Sequence, residues 1–239
     1  MRGFMNTLFR QPAPAPGCLF VHVPKCAGTS VRAMIEEIAA ERLVLDYDSY
    51  FRMEQDKRCT PILGNLLRPE TVPDGKIIYG HYFPVKYLGD GTAPAAGQPA
   101  LVTILRDPFS RLVSHYDFWK TQIQDTGHYL WRKMHEQDWS LEQFALSPEM
   151  QNFYSQHFSQ ISIGRFAYIG ISENIDESIR NCFDVIGLRS AMQTRHDNRK
   201  AGKDERTIDP GLRRAVEEFH AQDYLIYNYA VARFHSGAA

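Results

Sequence analysis

Cysteine is scarce. Cys18, Cys26, Cys59 and Cys182 are the four in 239 residues. Their spacing fits no zinc pattern, and no metal cluster is expected. A chain of this length needs no disulfide framework, and Cys18 and Cys182 sit in apolar runs that read as core. A reducing, cytoplasmic setting is the simpler expectation. Long apolar runs are missing too. Residues 1–17 carry two arginines but no continuous apolar stretch, so neither a signal peptide nor a transmembrane segment is expected. There is no excess of charge of one sign. Lys and Arg total 27 against 28 Asp and Glu, a net charge of −1. No global field draws in nucleic acid, which is not an expected partner, or an anionic membrane. A polyanionic ligand must therefore be held by local basic residues. Internal repeats and heptads are absent as well.

What is present suits one globular domain with a substantial core, since 44% of the residues are hydrophobic. The run Gln-Pro-Ala-Pro-Ala-Pro-Gly at 11–17 reads as an extended linker, so 1–17 is expected to be a flexible arm and 18–239 the domain. Cys18–Val23 is a short apolar run with β-branched residues, a buried strand, and Pro24 ends it. Val31, Met34, Ile35 and Ile38 then recur at helical spacing, so a helix starts near residues 28–30.

The turn between them holds Lys25, Ala27, Gly28, Thr29 and Ser30. Free N–H groups at a helix start, favoured by the macrodipole, cradle an anion. Gly28 permits close backbone approach. Thr29 and Ser30 offer hydroxyls, and Lys25 a point charge. The order differs from a Walker A loop, in which Lys directly follows the last Gly and the next hydroxyl holds magnesium. An ordinary strand–turn–helix with a capping Ser or Thr is the alternative reading.

Further strands are expected at Ile77–Tyr79, closed by Gly80, at Leu101–Leu105 and at Tyr168–Ile171, with another at Asp184–Leu188. His81 then falls just past a strand's carboxyl end, the edge where open α/β sheets bind ligands. Its ordinary pKa near 6.5 suits a general base, although a histidine there is more often a loop residue. After Leu105 come Arg106, Asp107 as N-cap and Pro108 at the first helical position, with Phe109, Leu112, Val113 and Tyr116 at helical spacing. Arg106 in isolation reads as a partner for Asp107 or another acid, and Ser114 as a helix-surface serine.

The remaining stretches are blander. Residues 51–75 read mostly as connection, and 89–98 as a surface loop. Asp46 and Asp48 flank Tyr47 on an exposed strand or loop. The aromatic stretch Trp119–Trp139 reads as the core and rim of one or two helices, with a substrate wall as the other reading. Glu173 reads as a cap or first-turn acid of the helix carrying Ile175, Ile179 and Phe183, with a catalytic acid as the other reading. Arg195, His196, Arg199, Lys200, Lys203 and Arg206 form a basic run, normally a solvated loop. Asp209-Pro210 opens a late helix, and a last one follows from Asp223.

Pro24-Lys25-Cys26-Ala27-Gly28-Thr29-Ser30 resembles the 5′-phosphosulfate loop of sulfotransferases that use 3′-phosphoadenosine 5′-phosphosulfate (PAPS), closest to the carbohydrate-type branch, which often has Thr in place of Cys26. The segment Arg106–Tyr116 is similar to that family's 3′-phosphate segment, in which an arginine and a serine eight positions later hold the phosphate. Here those are Arg106 and Ser114. Gly80-His81 matches a family Gly-His whose histidine is the proposed base. The segment 151–158 resembles one lying near the cofactor, with no roles assigned. A late basic loop closes over the cofactor in such enzymes, which by resemblance singles out Arg199 or Lys200.

The resemblance implies an α/β fold, a single P-loop-like domain with a central, mainly parallel sheet flanked by helices. It implies O-sulfotransfer from PAPS to a carbohydrate, glycolipid or small-molecule hydroxyl, with no metal. In that reading His81 and Lys25 are catalytic. Lys25, Ala27, Gly28, Thr29, Ser30, Arg106 and Ser114 bind PAPS. Two alternatives stay open: a P-loop-type kinase of a small hydroxylated substrate, and a non-catalytic nucleotide-binding module. The oligomeric state is not legible.

Overall fold

The computed structural model describes residues 17–47, 52–54, 57, 59–90, 98–122, 124–158, 161–188 and 209–237. Residues 1–16 of the expected arm, Asp48, most of the 89–98 loop and the basic run 195–206 lie outside them. Among the described residues there are five strands: β1 (Cys18–Val21), β2 (Leu43–Tyr47), β3 (Ile77–His81), β4 (Ala100–Leu105) and β5 (Tyr168–Ile171). The helices are α1 (Gly28–Ala39), α2 (Cys59–Leu67), α3 (Val85–Leu88), α4 (Pro108–Thr121), α5 (Tyr129–Glu136), α6 (Leu141–Ala145), α7 (Phe153–Phe158), α8 (Ile175–Val185), α9 (Pro210–Phe219) and α10 (Ala221–Ser236).

All the strand pairings are parallel, in the order β2-β3-β1-β4-β5. The chain leaves β1 for β2 at one edge, returns to fill β3, then crosses to β4 on β1's other side. The order therefore reverses at β1, the switch point where such sheets open a crevice beyond their carboxyl ends.

Both faces of the sheet are covered over β1, β3, β4 and β5, which is why those strands read as continuous apolar runs, whereas the edge strand β2 leaves Val44, Leu45 and Tyr47 exposed. Leu19 and Val21 of β1 pack with Ile78, Leu101 and Ile169 toward Tyr154 and Phe158 of α7 and Ala230 of α10. Cys18 and Phe20 face the other way, with Tyr79 and Ile104, onto Val31 and Ile35 of α1 and Phe183 of α8. A third cluster joins α4, α5, α6 and α9 around Phe109, Leu112, Trp131, Trp139, Phe144 and Val216. Trp119, Trp131 and Trp139 of the stretch 119–139 are buried, as the core-and-rim reading expected, while much of the rest of the stretch is half-buried or exposed.

Four expectations are corrected. Gly80 does not end its strand: β3 runs through His81, which pairs with Tyr47 of β2. A Cβ on Gly80 would lie 1.7 Å from the Asp46 carbonyl oxygen, so the glycine lets β2 approach rather than breaking β3. Asp184–Leu188 is not a strand. Ile179, Cys182, Phe183 and Ile186 keep helical spacing, and α8 runs to Val185. Left-handed Gly187 (φ 71°) then closes it, with Leu188 N–H donating to the Phe183 carbonyl at 2.6 Å. The connection 51–75 contains a helix, α2, whose Ile62 and Leu66 pack on the core while Leu63 and Leu67 stay exposed. Pro61 in its first turn and Gly64 in its middle masked the pattern in sequence. β1 itself stops at Val21, two residues short of expectation, although His22 N–H still donates to the Gly80 carbonyl at 2.9 Å.

Candidate active site

The carboxyl ends of β1, β3 and β4 open into a cavity of about 580 Å³. Lys25, Ala27, Gly28, Thr29, Ser30, His81, Arg106 and Ser114 all line it, so these eight candidates reach one space, while Arg199 and Lys200 lie outside the described residues. Lys25 and Arg106, expected on separate turns, face the same groove.

The first turn is built under strain. Lys25 (φ 70°) and Ala27 (φ 61°) are both left-handed, a conformation that costs a non-glycine residue about 1–3 kcal/mol and concentrates at ligand sites. The bend delivers the start of α1 to the cavity wall. Ala27, at the N-cap, supplies no side-chain cap, and the first turn holds no acid. The helix start thus presents backbone donors and positive dipole to the cavity. Gly28 has a steric reason to be glycine: a Cβ there would lie 1.7 Å from Nε2 of His22, whose ring fills that space. Cys26 points the other way. It is buried, with Sγ 3.8 Å from both the Pro24 carbonyl oxygen and the Tyr154 hydroxyl, and burial pushes its thiol up to about 11. A threonine at this position would meet the core rather than the cavity.

The second turn is capped conventionally. Asp107 accepts from Ser110 N–H at 2.9 Å, and its own N–H donates to Glu173 at 2.8 Å. Glu173 therefore braces this turn from the neighbouring segment rather than capping α8, and it is not on the cavity wall. Asp107 pairs at 3.6 Å with Arg213, not with Arg106. Among the described residues, the Arg106 guanidinium has no carboxylate partner. Ser114, half-buried in the second turn of α4 on its cavity side, is not a freely exposed surface serine.

One buried side chain ties the two turns together. The Tyr154 hydroxyl accepts from Arg106 N–H at 3.2 Å, donates to the Arg106 carbonyl, and touches Cys26 Sγ. Tyr154 N–H is in turn held by Asp223 Oδ1 at 2.8 Å.

The electrostatics follow from enclosure. Burial, then the Arg106 charge, lowers the Lys25 pKa, and its ammonium rests over the Phe118 ring at 4.1 Å. Burial, with help from Arg52, pulls His81 down to about 4. His81 is therefore a neutral imidazole at pH 7, able to accept a proton. Its Nε2 lies 3.0 Å from Nδ1 of His22. Burial, reinforced by His81 and Lys25, takes His22 well below its ordinary value.

Sequence reasoning assigned no role to several cavity residues: His22, Arg52, Phe118, Glu149, Phe153 and His157 among them. His22 was legible, two residues before Pro24 in the first motif. Phe118 lies one helical turn past Ser114 on α4, Phe153 and His157 fall in the 151–158 segment that the resemblance put near the cofactor, and Arg52 and Glu149 come from segments remote in sequence. Trp119 and Tyr129 serve twice, packing in the core and lining the cavity. Asp46 is structural: its Oδ2 takes Lys86 Nζ and Tyr87 hydroxyl, each at 2.7 Å. Among the described residues no helix is long and apolar enough to cross a membrane.

A model of the sulfotransferase family matches residues 13–230. No curated protein matches the chain. Among solved structures, the crystal structure of a sulfotransferase from Alicyclobacillus acidocaldarius aligns over 93% of this chain and 97% of that one, at 14% identity and a TM-score of 0.43. The mouse sulfotransferase SULT7A1 complexed with PAP aligns over 91% of this chain and 89% of that one, at 12% identity and a TM-score of 0.45.

Proposed function

The chain belongs to the sulfotransferase family, and we propose that it moves the sulfuryl group of PAPS to a hydroxyl of a carbohydrate, glycolipid or small-molecule acceptor. One observation carries the reading. Two cations from separate turns, Lys25 and Arg106, face one cavity with an uncapped helix start between them. Two cations with no carboxylate partner among the described residues are costly in an enclosed space without an anion to share. A nucleotide bearing phosphates at both its 5′ and 3′ positions supplies one for each end.

In this assignment the N-terminus of α1, with Thr29 and Ser30, holds the 5′ end, and Ala27 and Gly28 contribute backbone. Arg106 and Ser114 hold the 3′-phosphate and distinguish PAPS from adenylates that lack it. Lys25 neutralises charge growing on the oxygen that bridges sulfur and phosphorus. His81 takes the proton of the acceptor hydroxyl as its oxygen bonds to sulfur and the bond from sulfur to the phosphate oxygen breaks. In-line attack places the acceptor opposite the phosphate. The wall formed by Trp119, Tyr129 and His157 is left for that acceptor. The same reading places the enzyme in the cytoplasm, and Cys18, Cys26 and Cys182 are buried free thiols.

Calorimetry with the desulfated nucleotide, 3′-phosphoadenosine 5′-phosphate, tests the donor site. It should bind well and ATP poorly, and Arg106→Ala should erase the difference. Equal affinity for the two in the unaltered protein overturns the donor assignment. Transfer of label from PAPS to an acceptor mixture then separates an enzyme from a binding module.

A further inference from the structure

On the sulfotransferase reading above, His81 must offer a lone pair to the acceptor hydroxyl. We propose that His22 is a positioning residue for this base: it accepts the Nε2–H of His81 and so makes Nδ1 of His81 the nitrogen that takes the proton.

A neutral imidazole carries one N–H and one lone pair. His81 Nε2 and His22 Nδ1 are 3.0 Å apart, so one proton lies between them. If His22 donates it, His81 has its Nε2 lone pair engaged and its proton on Nδ1. No basic nitrogen then remains. If His81 donates it, Nδ1 keeps a free lone pair. Only the second arrangement allows His81 to act as a base. Among the described residues, Nδ1 of His81 has no hydrogen-bond partner.

His22 is held where this role requires it. Its N–H donates to the Gly80 carbonyl at 2.9 Å, one residue before His81. Its ring stacks on Tyr79, centroids 5.3 Å apart and planes 29° apart. The start of α1 presses on its other edge, where Gly28 leaves room for the ring and a Cβ would not. Tyr79 locks that contact by donating to the Gly28 carbonyl at 2.7 Å. The His22 ring thus links the anion-holding turn to the base. Burial keeps both rings neutral, which leaves a single proton in the pair.

The consequence is kinetic. When Nδ1 of His81 takes the acceptor's proton, Nε2–H becomes part of an imidazolium, and its bond to His22 becomes charge-assisted. An interaction that strengthens as charge develops lowers the barrier without tightening ground-state binding.

Two measurements on the full chain decide the matter. Nitrogen-15 spectra of the histidine rings, assigned with His22→Phe and His81→Ala, should show Nε2 of His81 protonated and its Nδ1 bare. The reverse pattern overturns the proposal whether or not the protein transfers sulfate. In turnover assays, His22→Phe should lower kcat by roughly 10–100-fold, a share of what a general base contributes. Its affinity for 3′-phosphoadenosine 5′-phosphate should stay within about twofold, because uniform binding is untouched. His22→Asn, whose Oδ1 can accept the same proton, should recover most of the loss. A folded His22→Phe protein with unchanged kcat, or an Asn variant no better than Phe, overturns it. If the unaltered protein transfers no sulfate, the sulfotransferase reading fails by itself and the ring spectra still decide this one.

Discussion

His81 and Arg106 face the same cavity and should fail in different ways. His81→Ala removes a proton acceptor, so kcat should fall by roughly 10²–10⁴-fold with donor binding intact. Calorimetry showing lost nucleotide binding in that variant would remove His81 from the base role. Arg106→Ala removes charge-assisted hydrogen bonds of about 1.5–3 kcal/mol, so the donor KM should rise by roughly 10–100-fold. An unchanged KM would displace Arg106 from the phosphate. The pH profile carries the mark of enclosure. With His81 pulled to about 4, the base form persists well below pH 6.5. The kcat/KM of the free enzyme should stay level from about pH 8 down to pH 6 and decline only below that. A decline centred at 6.5 would mean that His81 is solvated as an ordinary histidine. His81 and Arg106 were legible through the motifs they belong to, since each in isolation read as an ordinary loop histidine or a partner for an acid. Arg111, wholly buried against Phe153 at 4.2 Å, was not, since nothing local distinguishes a core arginine from a surface one.

The two strand–turn–helix units show how much local signals carry. Asp107-Pro108 marks the start of α4 by capping chemistry, and Asp209-Pro210 marks α9 in the same way, with Asp209 accepting from Gly211 N–H at 2.9 Å. α1 has no such cap, and its start was found from hydrophobic spacing. Where local signals misled, a neighbour was the cause. Gly80 looked like a strand end because the close approach of β2 is invisible in one strand's sequence. Residues 184–188 form a short apolar run that suits a strand, and the helical register set by Ile179 and Cys182 prevailed. The relative placement of the two turns depends on Tyr154 of α7. Tyr154→Phe leaves the Arg106 backbone without its partner and should cost about 1–3 kcal/mol, read by urea denaturation. The same change should raise the donor KM, because Arg106 loses its brace. Unaltered stability together with unaltered KM would show that the turns hold themselves.

For the molecule as a whole, buried titratable groups set opposing pH dependences. Asp223, buried beneath α7, is raised to about 7 by desolvation, against the pull of Arg111. The native state therefore holds a proton that the unfolded chain releases above pH 4, so this group's contribution is present at acid pH and lost as pH rises through 7. His81 and His220 lie at about 4, against about 6.5 unfolded, so they favour folding above 6.5 and disfavour it as pH falls toward 4. Asp223→Asn removes only the first effect and keeps an oxygen for Tyr154 N–H. Its stability relative to the parent should climb between pH 5 and pH 8, as urea midpoints would show. A constant difference would mean that Asp223 is ionised throughout.

The two strand–turn–helix units after β1 and β4, and the residues on their turns, were set by local chemistry. Hydrophobic period, capping residues and turn-forming glycines act within a few positions along the chain, so a linear reading suffices. Tertiary structure alone decided that Lys25 and Arg106 share one groove, that His22 reaches His81, and that segments up to 157 complete the wall. Those facts depend on which strands lie side by side. The burial of apolar faces selects that arrangement over the whole molecule, and no stretch of sequence states it.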